Sequence, residues 1–341
     1  MRPVLSPAAR RLWRDTGTLQ LGRDPRSQVL CGIDPATRQA LSLLDGTRDL
    51  DQVRFAAQAA GCPRERTDHL LDLLGRAGLL DDAGDDRVAL ASLTPVERER
   101  LGADLGSLSL VGGDGGLPAA RHRREARLVV LGAGRVGAPL AALLASAGIG
   151  AVDVVDDNPT QAEDTGVGGL GLLDIGRARG AAARERLRAA APSSSEPPLH
   201  RAQLVVLAPS CPEQLEQFAA QVPRGAPHLV AQVRDTVGVV GPLVLPGRSS
   251  CLRCAELTRT DLDPDWPALS AQLASPSRHR EACDGPLAVM VAAQAAMQVL
   301  MLVDGTADPA TVGGTLELAL PDWRWRRRSW PLHPSCACTA C

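Results

Sequence analysis

The hydrophobic and polar positions follow two regimes along the chain. Between residues 1 and about 85, three short apolar patterns have helical spacing, and each is closed by a glycine: ATRQALSLLDG, LDQVRFAAQAAG and RTDHLLDLLGRAGLL. The strand-like segments LQLGRD and SQVLCGI precede them. This order predicts a small winged-helix α+β domain over residues 1–85.

From Arg127 the pattern changes to strand, glycine loop, helix and strand. RLVVL is a continuous apolar run typical of a buried parallel strand, APLAALLASAG is helical, and AVDVVD is a second strand. The runs QLVVLA and PHLVAQV extend the sheet. We therefore expect a doubly wound, Rossmann-like α/β domain over residues 126–341. The polar, glycine-rich residues 86–125 between the two domains predict a linker.

The longest apolar segment covers residues 286–303. It contains two glutamines and many alanines, whereas a membrane span needs about 20 strongly apolar residues, so we interpret it as a buried helix. The start MRPVLSPAARRLWRD lacks the apolar stretch of a signal peptide. These observations predict a cytoplasmic protein without a membrane partner.

Composition excludes several classes of function. The 341 residues carry a net charge of -2 and include no lysine, which rules out a Walker-type phosphate lysine, a Schiff-base lysine and a lysine general base. Aromatic residues make up 2%, and tyrosine is absent. Without a global basic field or stacking platforms, we expect no nucleic-acid partner.

The motif GAGRVG fits the G-x-G-x-x-G pattern of dinucleotide-binding folds. Gly132 permits the tight turn, Gly134 lets the backbone approach a phosphate, and Gly137 allows the helix to pack closely on the strand. Asp156 ends the next strand, where a carboxylate can reach a ribose hydroxyl. The pattern predicts a nucleotide-binding architecture. The alternative is that the glycines serve helix packing alone.

The cysteines give a more specific signal. CLRC places Cys251 and Cys254 in a C-x-x-C pair, and HPSCACTAC offers Cys336, Cys338 and Cys341. Two close cysteine pairs in a cytoplasmic protein predict a closed, structural zinc site that ties the carboxyl terminus back to the sheet. Cys338 and Cys341 reproduce C-x-x-C, while Cys336 and Cys338 form a tighter pair. Both choices stay open.

Three other features have two interpretations each. His333 is a substitute zinc ligand or, as we favour, a turn residue before Pro334. Cys283 is a nucleophile or, as we favour, a buried small residue. WRWRRR at 323–328 lies in the apparent strand TLELALPDWRWRRRSW. We interpret its arginines as a solvated strand face, and an acidic partner is the alternative.

Several motifs in order resemble the ubiquitin-activating-enzyme-like, ThiF/MoeB adenylating superfamily over residues 127–341. They are GAGRVG, AVDVVDD, LLDIGRARGAAARERLRAAAP, CLRC, CDGPLAVMVAAQAAMQVLMLVDG and HPSCACTAC. The resemblance implies that the glycine loop and the acidic strand end bind ATP, and that the paired cysteine motifs bind zinc. Arg179 lies near the position of a lysine in the family.

The resemblance fails at the positions that handle phosphate. Where the family's catalysts have Asn, Arg and Gln, this chain has Asp164, Val167 and Gly168, and Ser210 lies near the position of a magnesium-associated aspartate. Forming an acyl-adenylate needs positive charge on the phosphates and a carboxylate for the metal. Most of that machinery is therefore missing.

The whole chain resembles the leader-peptide-binding proteins associated with TOMM (thiazole/oxazole-modified microcin) cyclodehydratases. The resemblance rests on RPVLSPAARRLWRDTGTLQLGRDP, LLDG and LLGRAGLL in front of a degenerate ThiF-like domain. It implies that the front module, similar to a RiPP recognition element, captures a precursor's leader as an added strand. The chain would then be a non-catalytic homodimeric partner of a separate YcaO-type cyclodehydratase. The alternative is an active adenylyltransferase that uses ATP with Gly132, Gly134, Gly137, Asp156 and Arg179.

Overall fold

The chain folds into two compact units, Met1–His122 and Arg123–Cys341. The computed structural model describes five ranges of the chain: 1–23, 27–84, 90–112, 114–275 and 281–339.

Two small sheets form the strand portion of the first unit. Strand β1 (Pro3–Leu5) pairs antiparallel with β5 (Leu80–Asp82). A separate antiparallel sheet has the order β2-β3-β4, so β2 and β4 are its edges. Its strands are β2 (Arg11–Trp13), β3 (Leu19–Leu21) and β4 (Gln28–Leu30).

Three helices complete the core of this unit, as the sequence predicts. Asp34 caps the first helix by accepting from the backbone N–H of Thr37, and Asp49 forms a reciprocal capping box with Gln52 at the second. The third helix buries Leu70, Leu71 and Leu74, while Leu73 is exposed. The helices are α1 (Pro35–Ser42), α2 (Leu50–Ala59) and α3 (Arg64–Arg76).

The expected linker contains two helices, α4 (Pro95–Gly112) and α5 (Leu117–Glu125). A capping box starts α4, because the N–H of Thr94 donates to Glu97 and the N–H of Glu97 donates back to the threonine hydroxyl. Both helices contribute to a small apolar cluster of Leu90, Leu93, Leu101 and Ala120. The expectation of a plain linker does not hold for these two helices, because buried leucines and a capping box outweigh the glycine-rich composition.

A seven-stranded sheet of order β12-β11-β10-β9-β8-β6-β7 forms the centre of the second unit. The ladders that join β6, β7, β8 and β9 are parallel, and those that join β9 to β12 are antiparallel. The expected single strand TLELALPDWRWRRRSW is a hairpin of β11 and β12. The strands are β6 (Arg127–Leu131), β7 (Ala151–Val155), β8 (Leu204–Leu207), β9 (His228–Arg234), β10 (Val237–Val244), β11 (Gly314–Ala319) and β12 (Arg324–Ser329).

Helices cover both faces of this sheet, which confirms the doubly wound α/β prediction. Alternate strand residues such as Val130 and Val206 join the core formed with α6, α7 and α11. Their neighbours Val129 and Val205 pack on the opposite face with Phe218 of α8. The helices are α6 (Gly137–Ser146), α7 (Arg179–Ala190), α8 (Pro212–Gln221), α9 (Leu252–Leu262), α10 (Trp266–Leu273) and α11 (Gly285–Asp304).

Helix α11 is the long apolar segment of the sequence. Among the described residues it is the one helix whose length and composition would suffice to cross a membrane. It packs against α6, β9 and β10 instead, and Leu287, Val291, Ala295 and Val299 form its buried stripe. The prediction of an interior helix agrees with this packing.

Candidate functional sites: a cysteine cluster and a glycine-loop cavity

Four cysteines from two distant segments converge in the second unit. Cys251 is the N-cap residue of α9 and Cys254 lies in its first turn, while Cys336 and Cys338 follow β12. The Sγ atoms of Cys251 and Cys336 are 3.5 Å apart, and those of Cys254 and Cys338 are 3.3 Å apart. All four sulfurs lie within 4.8 Å of one another.

This arrangement fits a tetrahedral zinc ion. Zinc–sulfur bonds of about 2.3 Å require sulfur–sulfur separations of about 3.8 Å, which the pair Cys251–Cys254 matches at 3.9 Å. Four thiols also complete the coordination, as in structural rather than catalytic zinc sites. Within the described residues the second pair is Cys336 and Cys338. Cys341, the other predicted ligand, lies outside them.

The surroundings of the cysteine cluster favour ionisation of one of the four thiols, that of Cys254. Burial opposes ionisation of Cys254, but hydrogen bonds from the backbone of His333 and Cys251 lower the pKa of this thiol to about 7. Burial and the neighbouring thiols raise the pKa of Cys338. The ring of His333 lies against Asp261, with Nε2 2.8 Å from the carboxylate. His333 therefore acts through its backbone N–H on Cys254 rather than as a fifth donor.

The three predicted glycines lie together between β6 and α6, but they have different neighbours. A Cβ on Gly132, whose φ is +100°, would lie 2.2 Å from the carbonyl oxygen of Ala208. A Cβ on Gly137 would lie 2.0 Å from the carbonyl oxygen of Gly132. A Cβ on Gly134 would meet only a side-chain atom this closely, the hydroxyl of Ser210 at 2.3 Å. Backbone packing therefore requires Gly132 and Gly137, and Gly134 is less constrained.

The two predicted charged residues are already engaged by their own neighbours. Asp156 is buried and accepts from the backbone N–H of Ala133 at 2.9 Å and from Asn158. Arg179 is also buried, with Nε 2.7 Å from a carboxylate oxygen of Asp164 and Nη1 3.7 Å from Asp156. The aspartate orients the loop, and the arginine lies between two carboxylates.

The glycine loop opens onto a small cavity of about 200 Å³. Sites for small molecules and cofactors usually measure about 300–1,000 Å³. The charged residues that line this cavity are Arg135 and Arg179 against Glu163, Asp164 and Glu281. Burial raises the pKa of the Asp164 carboxyl, although the backbone of Gln161 and the arginine beside it act in the opposite direction. The cavity therefore offers no excess of positive charge to a polyphosphate.

Sequence reasoning missed some residues of the cavity and placed others correctly. Ser210, Asp164 and Arg179, the positions aligned with the family's phosphate-handling residues, line it together. Arg135 lies at a variable position of the glycine motif, so the motif gives no signal for it. Its Nη1 donates to the carbonyl oxygen of Cys283 at 2.5 Å. Val167, by contrast, is exposed.

Two cysteines of the cavity have the properties of structural thiols. Burial raises the pKa of Cys211 to about 11, with a further contribution from Glu213. Burial also raises the pKa of Cys283, against the opposing effect of Arg135. A thiol that stays protonated at neutral pH is a poor nucleophile. The raised pKa argues against Cys283 as a nucleophile, although its side chain is only partly buried.

A family match covers the end of the first unit and the first part of the second. Residues 106–204 match the ThiF family. Together with the mixed seven-stranded sheet, this match confirms a ThiF-type fold and the resemblance to the ThiF/MoeB-like superfamily. A search of curated protein sequences found no match.

Solved structures share the fold over nearly the whole chain. E. coli MccB with MccA-N7isoASN is 16% identical, with a TM-score of 0.72 and coverage of 100% of both chains. E. coli MccB with ATP is also 16% identical, with a TM-score of 0.70 and coverage of 99% of both chains. PaaA is 20% identical, with a TM-score of 0.68 and coverage of 95% of this chain and 98% of its own. MccB is described as a microcin C7 biosynthetic enzyme.

Proposed function

We propose that this protein is a leader-peptide-binding scaffold that presents a ribosomal precursor peptide to a separate YcaO-type cyclodehydratase for azoline formation. Its partners are the precursor, the cyclodehydratase and a second copy of the chain, in the cytoplasm. The observation that carries the proposal is the pairing of Arg179 with Asp164 and Asp156. The cation best placed to receive a phosphate is bound by carboxylates of the protein itself.

Three features of the cavity support a role without adenylation. An adenylating site stabilises the phosphates with several preorganised positive charges and a metal held by carboxylates. Here the cavity measures about 200 Å³ and its acidic residues outnumber its arginines. A hydroxyl, that of Ser210, occupies the position where the resemblance expects the metal-binding carboxylate.

The first unit supports peptide recognition. Among the described residues, β2 and β4 each pair with β3 alone, and Val29 on β4 is 40% exposed. Such edges can accept an extended peptide as an added strand. Arg66 and Arg76, which could meet an acidic leader at the rim of α3, each form an ion pair with an aspartate of the module. MccB, which shares the fold, has been solved with its peptide MccA.

An exposed apolar loop before α7 supports the proposal that two copies of the chain form a dimer. Val167 is 85% exposed, Leu172 74% and Leu173 95%. Clusters of exposed aliphatic residues typically mark protein interfaces, and most oligomers are symmetric pairs. We expect Leu173→Glu to shift the protein from dimer to monomer in light scattering. An unchanged mass would contradict this interface.

A titration tests leader recognition. A fluorescein-labelled leader from a precursor encoded beside this gene should bind the full chain saturably. Val29→Pro removes one backbone donor from the edge strand and should weaken binding about tenfold or more, while Val29→Thr, which keeps the N–H, should not. Arg66→Gln should weaken binding only modestly, since rim charges mainly set the association rate and the salt dependence. Equal affinity of the proline and threonine variants would contradict strand addition.

The second candidate function is an ATP-dependent adenylyltransferase that activates a peptide or protein carboxylate. One observation favours it, namely the fold shared over 99% of the chain with MccB bound to ATP. The isolated chain should exchange no pyrophosphate into ATP with any precursor peptide if the scaffold proposal is correct. Robust exchange would replace that proposal with the adenylyltransferase.

A further inference from the structure

The outermost strand of the large sheet is unusually basic. Strand β12 ends the strand order of the sheet, so its outer edge pairs with no strand of the described residues. It carries Arg324, Arg326 and Arg328 at alternate positions, all exposed. Alternate residues of a strand share one face, so these three arginines project on the same side of the sheet.

The same face contains a fourth arginine. The register pairs Arg326 with Glu317, Glu317 with Val239, and Val239 with Gln232, two residues before Arg234. Arg234 therefore shares the face of Arg326, at the carboxyl end of β9. Ligands of open α/β sheets bind at the carboxyl ends of the parallel strands.

Arg234 is half-buried at the end of β9. Within the residues that the structure describes, its guanidinium makes neither an ion pair nor a hydrogen bond. Burial lowers the pKa of Arg234, and the nearby Arg259 and Arg328 lower it further, while Glu317 and Glu256 act in the opposite direction. A partly desolvated cation among other cations is unfavourable unless an anion joins it.

The two acids near Arg234, Glu256 and Glu317, interact with other residues. Glu256 accepts from the indole N–H of Trp266 at 2.6 Å and pairs with Arg259. Glu317 accepts from the hydroxyl of Thr315 at 3.1 Å and lies 3.8 Å from Arg328. Neither acid pairs with Arg234, so the cluster keeps an excess of positive charge.

We propose that Arg234, Arg259 and Arg328 form a carboxylate-binding site, and that its ligand is an acidic peptide segment that lies across this face of the sheet from β12 to β9. Neighbouring strands are about 4.8 Å apart, so β12 and β9 are about 14 Å apart, a distance that an extended segment of about four to five residues covers. Charge complementarity with the arginines selects acidic residues. This site lies in the ThiF-type domain and is independent of leader recognition by residues 1–85.

The tryptophans of the cluster favour a peptide over a single-stranded nucleic acid. Arg259 stacks over the rings of Trp266 and Trp330, with its Cζ 5.4 Å and 4.7 Å from the ring centroids. Trp330 is also only 3% exposed. Single-stranded nucleic acids gain affinity by stacking bases on free aromatic faces, and the ring of Trp330 is not free for such stacking.

Fluorescence anisotropy with the full chain tests the site. The probe is a labelled peptide of four Glu-Thr repeats, with a Gln-Thr peptide of equal length as its control. We expect saturable binding of the Glu-Thr peptide alone, weakened at least tenfold by Arg234→Met and by Arg328→Gln. Arg224→Met serves as the matched control, because Arg224 is exposed and precedes the opposite end of β9. It should leave binding unchanged.

Thermal unfolding separates a binding role from a structural one. Removal of an unpaired, half-buried cation should leave the Tm of Arg234→Met unchanged or raise it. A lower Tm, equal binding of both peptides, or equal weakening by Arg224→Met would overturn the proposal, as would the absence of any Glu-Thr binding. Tighter binding of an oligothymidylate would assign the face to nucleic acid. Full displacement of the peptide by equimolar inorganic phosphate would show that the site binds small anions rather than peptides.

Discussion

The cysteine cluster and the glycine-loop cavity lie in the same domain, but their side chains relate to one another in opposite ways. The cluster brings together four thiol donors of one kind, which would repel one another once ionised and which a cation would hold together. The cavity brings together cations and carboxylates, and Arg179 already lies 2.7 Å from Asp164. A set of like thiol donors is suited to a cation, whereas the opposite charges of the cavity pair with one another.

Loss of the cluster should have the largest effect. We expect one tightly held zinc per chain by elemental analysis, because the thiol separations fit tetrahedral coordination. Cys251→Ser should lose the metal and lower the Tm by about 10 °C, since metal binding is coupled to folding and 1 kcal/mol shifts the Tm of such a domain by about 2–4 °C. Cys31→Ser, an exposed cysteine of the first unit, should change neither.

The comparison between the sites would fail in two cases. Substoichiometric zinc in protein purified without chelators would show that the four cysteines do not require a bound metal ion. A Cys251→Ser variant with wild-type Tm would show that the cluster is dispensable for folding.

Replacement of Arg179 should have the next largest effect. Arg179→Met leaves two buried carboxylates without their cation, which typically costs about 3–5 kcal/mol of unfolding free energy. Arg188→Met on the same helix removes a largely exposed pair with Glu196 and should cost less than about 1 kcal/mol. Urea unfolding of both variants measures the difference. Equal stabilities would show that Arg179 is held loosely enough to serve a ligand.

The sequence predicts much of the cavity because periodicity and the glycine motif are local signals. The strands β6 and β7 and helix α6 follow from the βαβ order, whereas Asp164, Arg179 and Ser210 are expected near the site only because of the resemblance to the ThiF/MoeB superfamily. The pairing of Arg179 with Asp164 follows from neither, because it depends on how the segment between β7 and α7 folds back. No local pattern identifies which acid a given arginine meets.

Two other features are also not predicted from local sequence patterns: the helices within residues 86–125 and the environment of Arg234. The glycines of residues 86–125 suggest a linker, while the capping box Thr94 to Glu97 and the buried Leu101 indicate the helix that forms. Arg234 looks like an ordinary strand-end residue. Its lack of a counterion appears only when β9, β12 and α9 are brought together.

Alanine substitutions in the glycine loop should have a smaller effect on stability. They distinguish glycines required by packing from a glycine that is free to serve ligand binding. Gly137→Ala places a methyl group 2.0 Å from a backbone oxygen that cannot move freely, so it should cost about 2–3 kcal/mol or more. Gly134→Ala meets only the hydroxyl of Ser210, which can rotate away, and should cost less than about 1 kcal/mol. Chemical denaturation of both variants gives the two costs. A large cost for Gly134→Ala would show that this position is also fixed by packing.

The smallest expected effect is a pH dependence at Asp164. Because its pKa is raised in the folded protein, mainly by burial, this carboxyl binds a proton at higher pH when folded than when unfolded. It therefore contributes stability at low pH that is lost as pH rises through the folded pKa. Asp164→Asn keeps an acceptor for the N–H of Gln161 but removes the titration, so its Tm relative to that of the wild type should rise between pH 4 and pH 7. Asp174→Asn is the opposite control, because Arg186 and the backbone of Gly171 lower the pKa of Asp174, and its stability should fall relative to the wild type over the same range. If the two variants changed in the same direction with pH, Arg179 would stabilise the Asp164 carboxylate by more than burial penalises it, and the prediction for Asp164 would be wrong.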